Sequence, residues 1–355
     1  MLPGKTTGIP PASAGRVPVE VHTVLRTRLG VAAALSIIVG SVVVAQDKQK
    51  FELKLEKDKP FYQKLSTTVE QIIMVQGTNL NQKQESTFYF KWTPTGLAAD
   101  KWTLKQRIEG LRMSIDISGN PITYETGKSS PGSAGNPGLM DFFKNLEGAE
   151  FTVTLNTKDW KVEKVEGKDD FVKKLGAGSA QMDGLLKKIM TDDAVKQMAD
   201  PTYGLIPDQP KAVNEVWEKK VTVGLGPIGS YDVTYKCTYK GKDTTQKTLD
   251  RIEVDTSLTY KPPTDSADGL LFKIKSGSMT SKPLTPLQAP SVILYNPERG
   301  RIEKATISLH LTGEMMVTIG GTDSKVELTQ SQTTTIETSD TPQLTDAQPK
   351  TPEKK

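Results

Sequence analysis

Apolar residues recur at every second position over much of this chain, and that period limits the fold more than any other feature. Tyr231, Val233, Tyr235, Cys237 and Tyr239 alternate with Asp232, Thr234, Lys236, Thr238 and Lys240, so one side of the segment is dry and the other wet. The same rhythm runs through Phe88, Phe90 and Trp92, through Ile252, Val254, Thr256, Leu258 and Tyr260, and through Ala305, Ile307, Leu309 and Leu311. Such strands belong to antiparallel sheets with one solvated face. Trp102, Leu104 and Ile108 share one phase, whereas Leu111, Met113, Ile115 and Ile117 share the other. A one-residue slip reconciles them, which predicts a β-bulge at Gly110 and long bent strands in a curved sheet or partial barrel.

Helical spacing is confined to the middle. Leu139, Phe142, Phe143 and Leu146 form an apolar stripe closed by Gly148, and Phe171, Val172 and Leu175 form another between Asp169-Asp170 and Gly176. Met182, Leu185, Leu186, Ile189 and Met190 give a third, and Thr191-Asp192-Asp193 caps a fourth carrying Val195 and Met198. The fold class is therefore α+β, mainly antiparallel β, with a central helical insert. The β-rich domain runs over 46–338, with β halves at about 51–166 and 213–337 and the insert at about 139–199. The polar, proline-containing stretch 339–355 is expected to be disordered.

Ahead of the domain stands a leader, 1–45. Arg26 and Arg28 precede the apolar segment 29–45, which gives way at once to Gln46-Asp47-Lys48. A positive flank, a short apolar core and small residues at Val43 and Ala45 predict a secretory signal cleaved between Ala45 and Gln46. The alternative is an uncleaved anchor; as a helix the segment would span roughly 25 Å of a hydrocarbon core of about 30 Å. A start near Val24 or Leu25 would explain the unusually long run-up. No Cys follows the segment to take a lipid anchor. Either way the domain is exported, to the periplasm or cell envelope, and touches a membrane only through the leader if that is uncleaved.

Charge and composition exclude several functions. Lys5, Arg16, Arg26 and Arg28 against Glu20 place three of the formal +4 in the leader, so the rest of the chain is nearly neutral. Its cations and anions are interspersed, without the clustered positive charge that nucleic acid requires. Cys237 is the single cysteine, which rules out an intrachain disulfide.

A search for chemistry ends in bland readings. Gly224-Leu-Gly-Pro-Ile-Gly229 has the spacing of a dinucleotide loop, but the strand pattern that follows makes it a hairpin connection. His310, the one histidine after the leader, falls on the face opposite its apolar neighbours, and Cys237 on a dry one, so neither suits nucleophilic catalysis or a zinc site. Asp169-Asp170 and Asp192-Asp193 stand where helices begin and read as caps rather than as a glycosidase pair. No cofactor or metal is expected. The remaining candidates are apolar: Phe142, Phe143, Met182, Leu186 and Met190 line a hydrophobic ligand pocket in the curved sheet, or else close its core.

Several stretches resemble an uncharacterised family of exported, β-rich bacterial proteins: Phe151-Thr-Val-Thr-Leu155 with Val162-Glu-Lys-Val-Glu-Gly167, Pro210 to Trp217, and a closing run from Gly300 to Ile336. Asn214-Glu215-Val216 stands where that family commonly has Gly. The resemblance brings no activity or functional residue with it. The architecture also looks similar to periplasmic lipoprotein carriers, at the level of fold alone. The expected function is a non-catalytic binding module of the envelope, for a hydrophobic small molecule or an envelope component; a structural or protein-interaction module is the alternative, and a carboxylate-only hydrolase comes third.

Overall fold

The computed structural model describes residues 47–128, 137–176, 184, 186–187, 190–199, 203–224, 229–263, 272–283 and 290–344. The first half carries β1 (Phe61–Val75), β2 (Thr78–Ala98), β3 (Lys101–Ile117), β4 (Asn120–Glu125), β5 (Glu150–Asn156) and β6 (Val162–Glu166). The second carries β7 (Val216–Gly224), β8 (Ser230–Lys242), β9 (Asp250–Lys261), β10 (Phe272–Ser281), β11 (Val292–Asn296), β12 (Arg301–Ile319) and β13 (Thr322–Ser339). Helix α1 (Pro137–Leu146) stands between β4 and β5, and α2 (Lys168–Gly176) and α3 (Asp192–Ala199) follow β6 and precede β7. All the strands join one mainly antiparallel sheet in the order β6-β5-β3-β2-β1-β13-β12-β10-β9-β8-β7, with β4 beside β3 and β11 between β12 and β9.

Local chemistry produces these elements. Pairs of positive φ at Gln76/Gly77, Ala99/Asp100, Ser118/Gly119 and Gly320/Gly321 are the signature of type I′ turns, whose twist matches that of the strands they join. The slip expected at Gly110 is present: Tyr89 pairs with Gly110 and Phe90 with Ile108, leaving Glu109 as the extra residue. The dinucleotide-like spacing is a hairpin, closed by the pairing of Gly224 with Ser230. Asp169-Asp170 and Asp192-Asp193 occupy the first turns of α2 and α3, favourable positions in the helix dipole, and Lys168 bridges the two helices by pairing with Asp192.

Two sequence expectations change. The strand expected from Phe51 begins only at Phe61, because Asp58 takes φ +62° in a turn and Pro60 has no N–H to give a ladder. Residues 51–60 instead form a strap. Phe51 sits among Trp217, Tyr239 and Tyr295 at ring distances of 6.4, 5.4 and 5.1 Å, and the Lys54 N–H donates to the Gly300 carbonyl at 3.0 Å. Gly300 has φ +60°, and a Cβ there would stand 2.6 Å from the Lys54 nitrogen. Of the tail, Asp340 pairs with Arg299 and Arg301, and Leu344 packs at Gly110; residues 345–355 lie outside the described residues.

The sheet curls until its two ends share a core. Val153 and Leu155 of β5, Val162 of β6, Cys237 and Tyr239 of β8 and Trp92 of β2 belong to a single buried cluster. The ring stays open between β6 and β7. Helix α3 touches both edge strands, Tyr203 meets the Trp92 ring edge-on at 5.9 Å, and the Trp217 indole donates to the Leu205 carbonyl at 3.0 Å. Packing of helices and the 203–206 segment thus bridges a gap that strand pairing leaves.

Candidate functional site

Cross-strand register decides which side chains face the inside of the curl. Across β2, β1, β13 and β12, the inward set is anchored by Phe61, Trp92 and Ile336, which lie in the shared core. Moving along the strands, Thr67 pairs with Ser86 and Thr334, Val69 with Gln84 and Gln332, and Gln71 with Gln82 and Gln330. Beyond these, Ile73 pairs with Leu80 and Leu328, and Val75 with Val326. On β2, β1 and β13 the concave face is therefore apolar at both ends and carries a belt of amides and hydroxyls across its middle, flanked at the same level by Ile307, Leu309 and Leu311 of β12 and by Met113, Ile115 and Ile117 of β3. Ser86 is buried, and Thr67, Gln71, Gln82, Gln84, Gln330, Gln332 and Thr334 are half-buried.

Charge is sorted with the same register. Lys64, Glu70, Lys83, Glu85, Lys91, Glu314, Lys325, Glu327 and Glu337 all alternate with the inward residues and sit on the convex face. No charged side chain from the paired spans 61–75, 78–92, 305–317 and 324–338 faces inward. The belt is a connected network along β13: Gln330 donates to Gln332 at 3.3 Å, Gln332 to Thr334 at 3.3 Å, and Thr334 meets the Thr67 hydroxyl at 3.3 Å. Each amide offers both donors and acceptors without a charge to desolvate, so the surface can hold a neutral group by hydrogen bonds while the flanking aliphatics take an apolar one.

The residues singled out from sequence are divided by the structure. Phe143 and Leu186 are buried, and Phe142 and Met190 half-buried, in one cluster with Ile108, Leu111, Phe151 and Phe171; there α1 and α2 cover β3 and β5. Met182, Ala45 and Gln46 lie outside the described residues. Cys237 is fully buried, and burial pushes its thiol up to about 12. Burial likewise raises Tyr260 to about 12, 5.6 Å from the Tyr231 ring, at the inner end of β8 and β9. His310 stands on the convex face with Nδ1 3.0 Å from the Ser331 hydroxyl, in a polar cleft of about 800 Å³. A second convex groove, of about 600 Å³, runs over Glu70, Lys83 and Asp116. Among the described residues no three His, Cys, Asp or Glu side chains gather as a metal site would need, and no helix is long and apolar enough to cross a membrane. The amide belt went unnoticed in the sequence, although its signal is there in the alternation of Gln82, Gln84, Gln330 and Gln332 with Lys83, Glu85, Ser331 and Thr333.

The profile of a family described as a family of unknown function (DUF6263) matches residues 99–282, more than half of the chain. No curated protein matches it in sequence. Among solved structures, the chain is similar to lipovitellin, from a structure of lipid–protein interactions in that protein, at 10% identity and a TM-score of 0.39; the match covers 81% of this chain and 26% of that one. An outer membrane channel from Pseudomonas putida F1 is similar at 8% identity and a TM-score of 0.21, over 82% of this chain and 99% of the channel. OccK5 (OpdH) of Pseudomonas aeruginosa is similar at 8% identity and a TM-score of 0.21, over 80% and 98%. None of these likenesses is close enough to carry a function across.

Proposed function

The chain belongs to this family of unknown function, DUF6263, and from that premise we propose that it is an exported, non-catalytic binding module of the cell envelope that holds an uncharged, amphipathic ligand on the concave face of its sheet. One observation carries the reading: charge is absent from the inward side of the paired spans of the four central strands, while the middle of that side on β1, β2 and β13 is polar and mostly half-buried. A surface whose sole task was to close a core would favour aliphatics there, because half-buried amides contribute little hydrophobic stabilisation. A ligand with an apolar body and a neutral hydrogen-bonding part matches both the belt and its flanks. The non-catalytic reading is supported by the burial of Cys237, whose thiol is held protonated, and by the hydrogen bond of His310 to the Ser331 hydroxyl rather than to a nucleophile–carboxylate pair. Export is supported by the apolar leader segment and its small residues before Gln46.

Native mass spectrometry of protein purified from the envelope tests the proposal, together with binding of a neutral lipophilic dye to the wild type and to Gln84→Lys and Gln332→Lys. Wild-type protein should carry a neutral adduct or bind the dye at least tenfold more tightly than either variant, since each lysine would have to lose its hydration on ligand binding. No adduct, with equal dye binding by all three proteins, would overturn it.

A further inference from the structure

Three described turns at one end of the strands differ in chemistry from the described connections at the other. At one end, three type I′ turns with their flanks read Val75-Gln-Gly-Thr78, Ile117-Ser-Gly-Asn120 and Ile319-Gly-Gly-Thr322, and none contains a charge. At the other end every described connection is charged: Asp100 lies between β2 and β3, Lys158 between β5 and β6, Lys247 between β8 and β9, and Arg299 between β11 and β12. Aliphatics are exposed beside these three turns. Ile72, Leu80, Ile117 and Ile319 are 48%, 39%, 37% and 49% exposed, and each lies within four residues of a turn.

These turns lie on one line. Ile117 pairs with Gln82, four residues short of Thr78, and Val75 pairs with Val326, four residues short of Thr322, so successive tips step by the same amount across the sheet. Of the nearest charges, the Asp116 carboxylate accepts the Gly119 N–H at 2.7 Å, Asp323 pairs with Lys275 at 2.6 Å, and Lys273 stands on β10 opposite Thr318, outside the turn. Moving the turn tips themselves out of water would therefore bury apolar surface without burying a charged side chain.

We propose that the rim inserts into the surface of a lipid bilayer, with the aliphatics beside the three turns reaching the boundary between headgroups and acyl chains. A bilayer accepts a row of separate protruding tips, whereas a stable protein partner needs about 800 Å² of continuous complementary surface on each side. The absence of free cations at the tips makes the insertion apolar rather than electrostatic. The apolar rows Ile73-Leu80-Leu328 and Val75-Val326 continue this surface onto the concave face.

The test uses the full chain with one added cysteine, at Thr78, Thr322 or Lys158, carrying an environment-sensitive fluorophore; the buried Cys237 stays unlabelled. Vesicles of phosphatidylcholine, alone or with phosphatidylglycerol, should shift the Thr78→Cys and Thr322→Cys probes to the blue and raise their emission several-fold, equally on both compositions. The Lys158→Cys probe should not respond. Adding Ile117→Ser and Ile319→Ser should raise the lipid needed for half-response about tenfold. A silent rim, a response equal at all three probes, or a response confined to phosphatidylglycerol would overturn the proposal. So would a blue shift that grows with protein concentration in the absence of vesicles, which would give the rim to a second copy of the chain.

Discussion

Cys237 pairs with Trp217 on one side and Val254 on the other, inside the cluster where the two ends of the sheet meet. Its thiol is fully buried, and desolvation of the charged form pushes it up to about 12; Tyr203, Tyr239 and Tyr295 in the same cluster are raised by the same cause. The sign of the linkage follows. The folded chain keeps these protons where the unfolded chain releases them, so the stability they contribute is complete below the unfolded values, near 8.5 for the thiol and 10 for the phenols, and is lost as pH rises past them. The urea midpoint should fall steadily above about pH 9. At pH 8 an aromatic disulfide reagent should leave Cys237 untouched in the native protein and titrate one thiol in urea. Native-state reaction at the unfolded rate would show that the cluster is open. The alternation through Tyr235, Cys237 and Tyr239 already made this burial legible, because a strand with one dry side leaves a side chain in that phase no other place to go.

At the scale of elements, the helical insert is tied to the sheet through one carboxylate. Glu147, just after α1, accepts the Tyr124 hydroxyl of β4 and the Thr126 hydroxyl, the latter at 2.7 Å, and Thr126 in turn accepts the Leu111 N–H of β3 at 2.8 Å. Lys174 of α2 donates to the Glu147 carbonyl at 3.0 Å. Glu147→Ala would leave two hydroxyls without their acceptor and should cost about 1–3 kcal/mol in urea unfolding, whereas Glu147→Gln, which keeps an acceptor oxygen, should cost about half as much. Equal and negligible losses would mean that Phe143 and Leu146 hold α1 alone. The helix itself was readable from the spacing of Leu139, Phe142, Phe143 and Leu146, and the bulge at Gly110 from the phase slip around it. The tie was not, since Tyr124, Thr126 and Glu147 meet only through the fold. The concave belt escaped for a different reason: an amide at alternate positions of a strand looks like a solvent-facing residue whichever side it takes, and only the pairing of Gln71 with both Gln82 and Gln330 shows that these amides share a face.

For the whole molecule, the sequence divides into two β-rich halves around a helical middle, yet the sheet does not respect that division. The pairing between β1 and β13, fourteen residue pairs from Tyr62–Ser339 to Val75–Val326, lies near the centre of the strand order. Alternation along β1 reports which side is dry and nothing about its partner, so a neighbour more than 250 residues away in the chain could not be read from either strand. The core repeats the arrangement, with β2 and β5 from the first half packed against β8 and β11 from the second. Neither half can bury its own inward face, and loop closure must be met before the central pairing forms, which places this chain among slow-folding topologies. Cut between residues 199 and 203, the fragments 47–199 and 203–344 should each lack a cooperative unfolding transition. Mixed in equal amounts, they should recover the far-ultraviolet spectrum of the intact chain and a single urea transition, at a midpoint that rises with concentration because association is now bimolecular. If 47–199 alone unfolds cooperatively at the midpoint of the intact protein, the two halves are separate folding units, and the β1–β13 seam joins them without being needed by either.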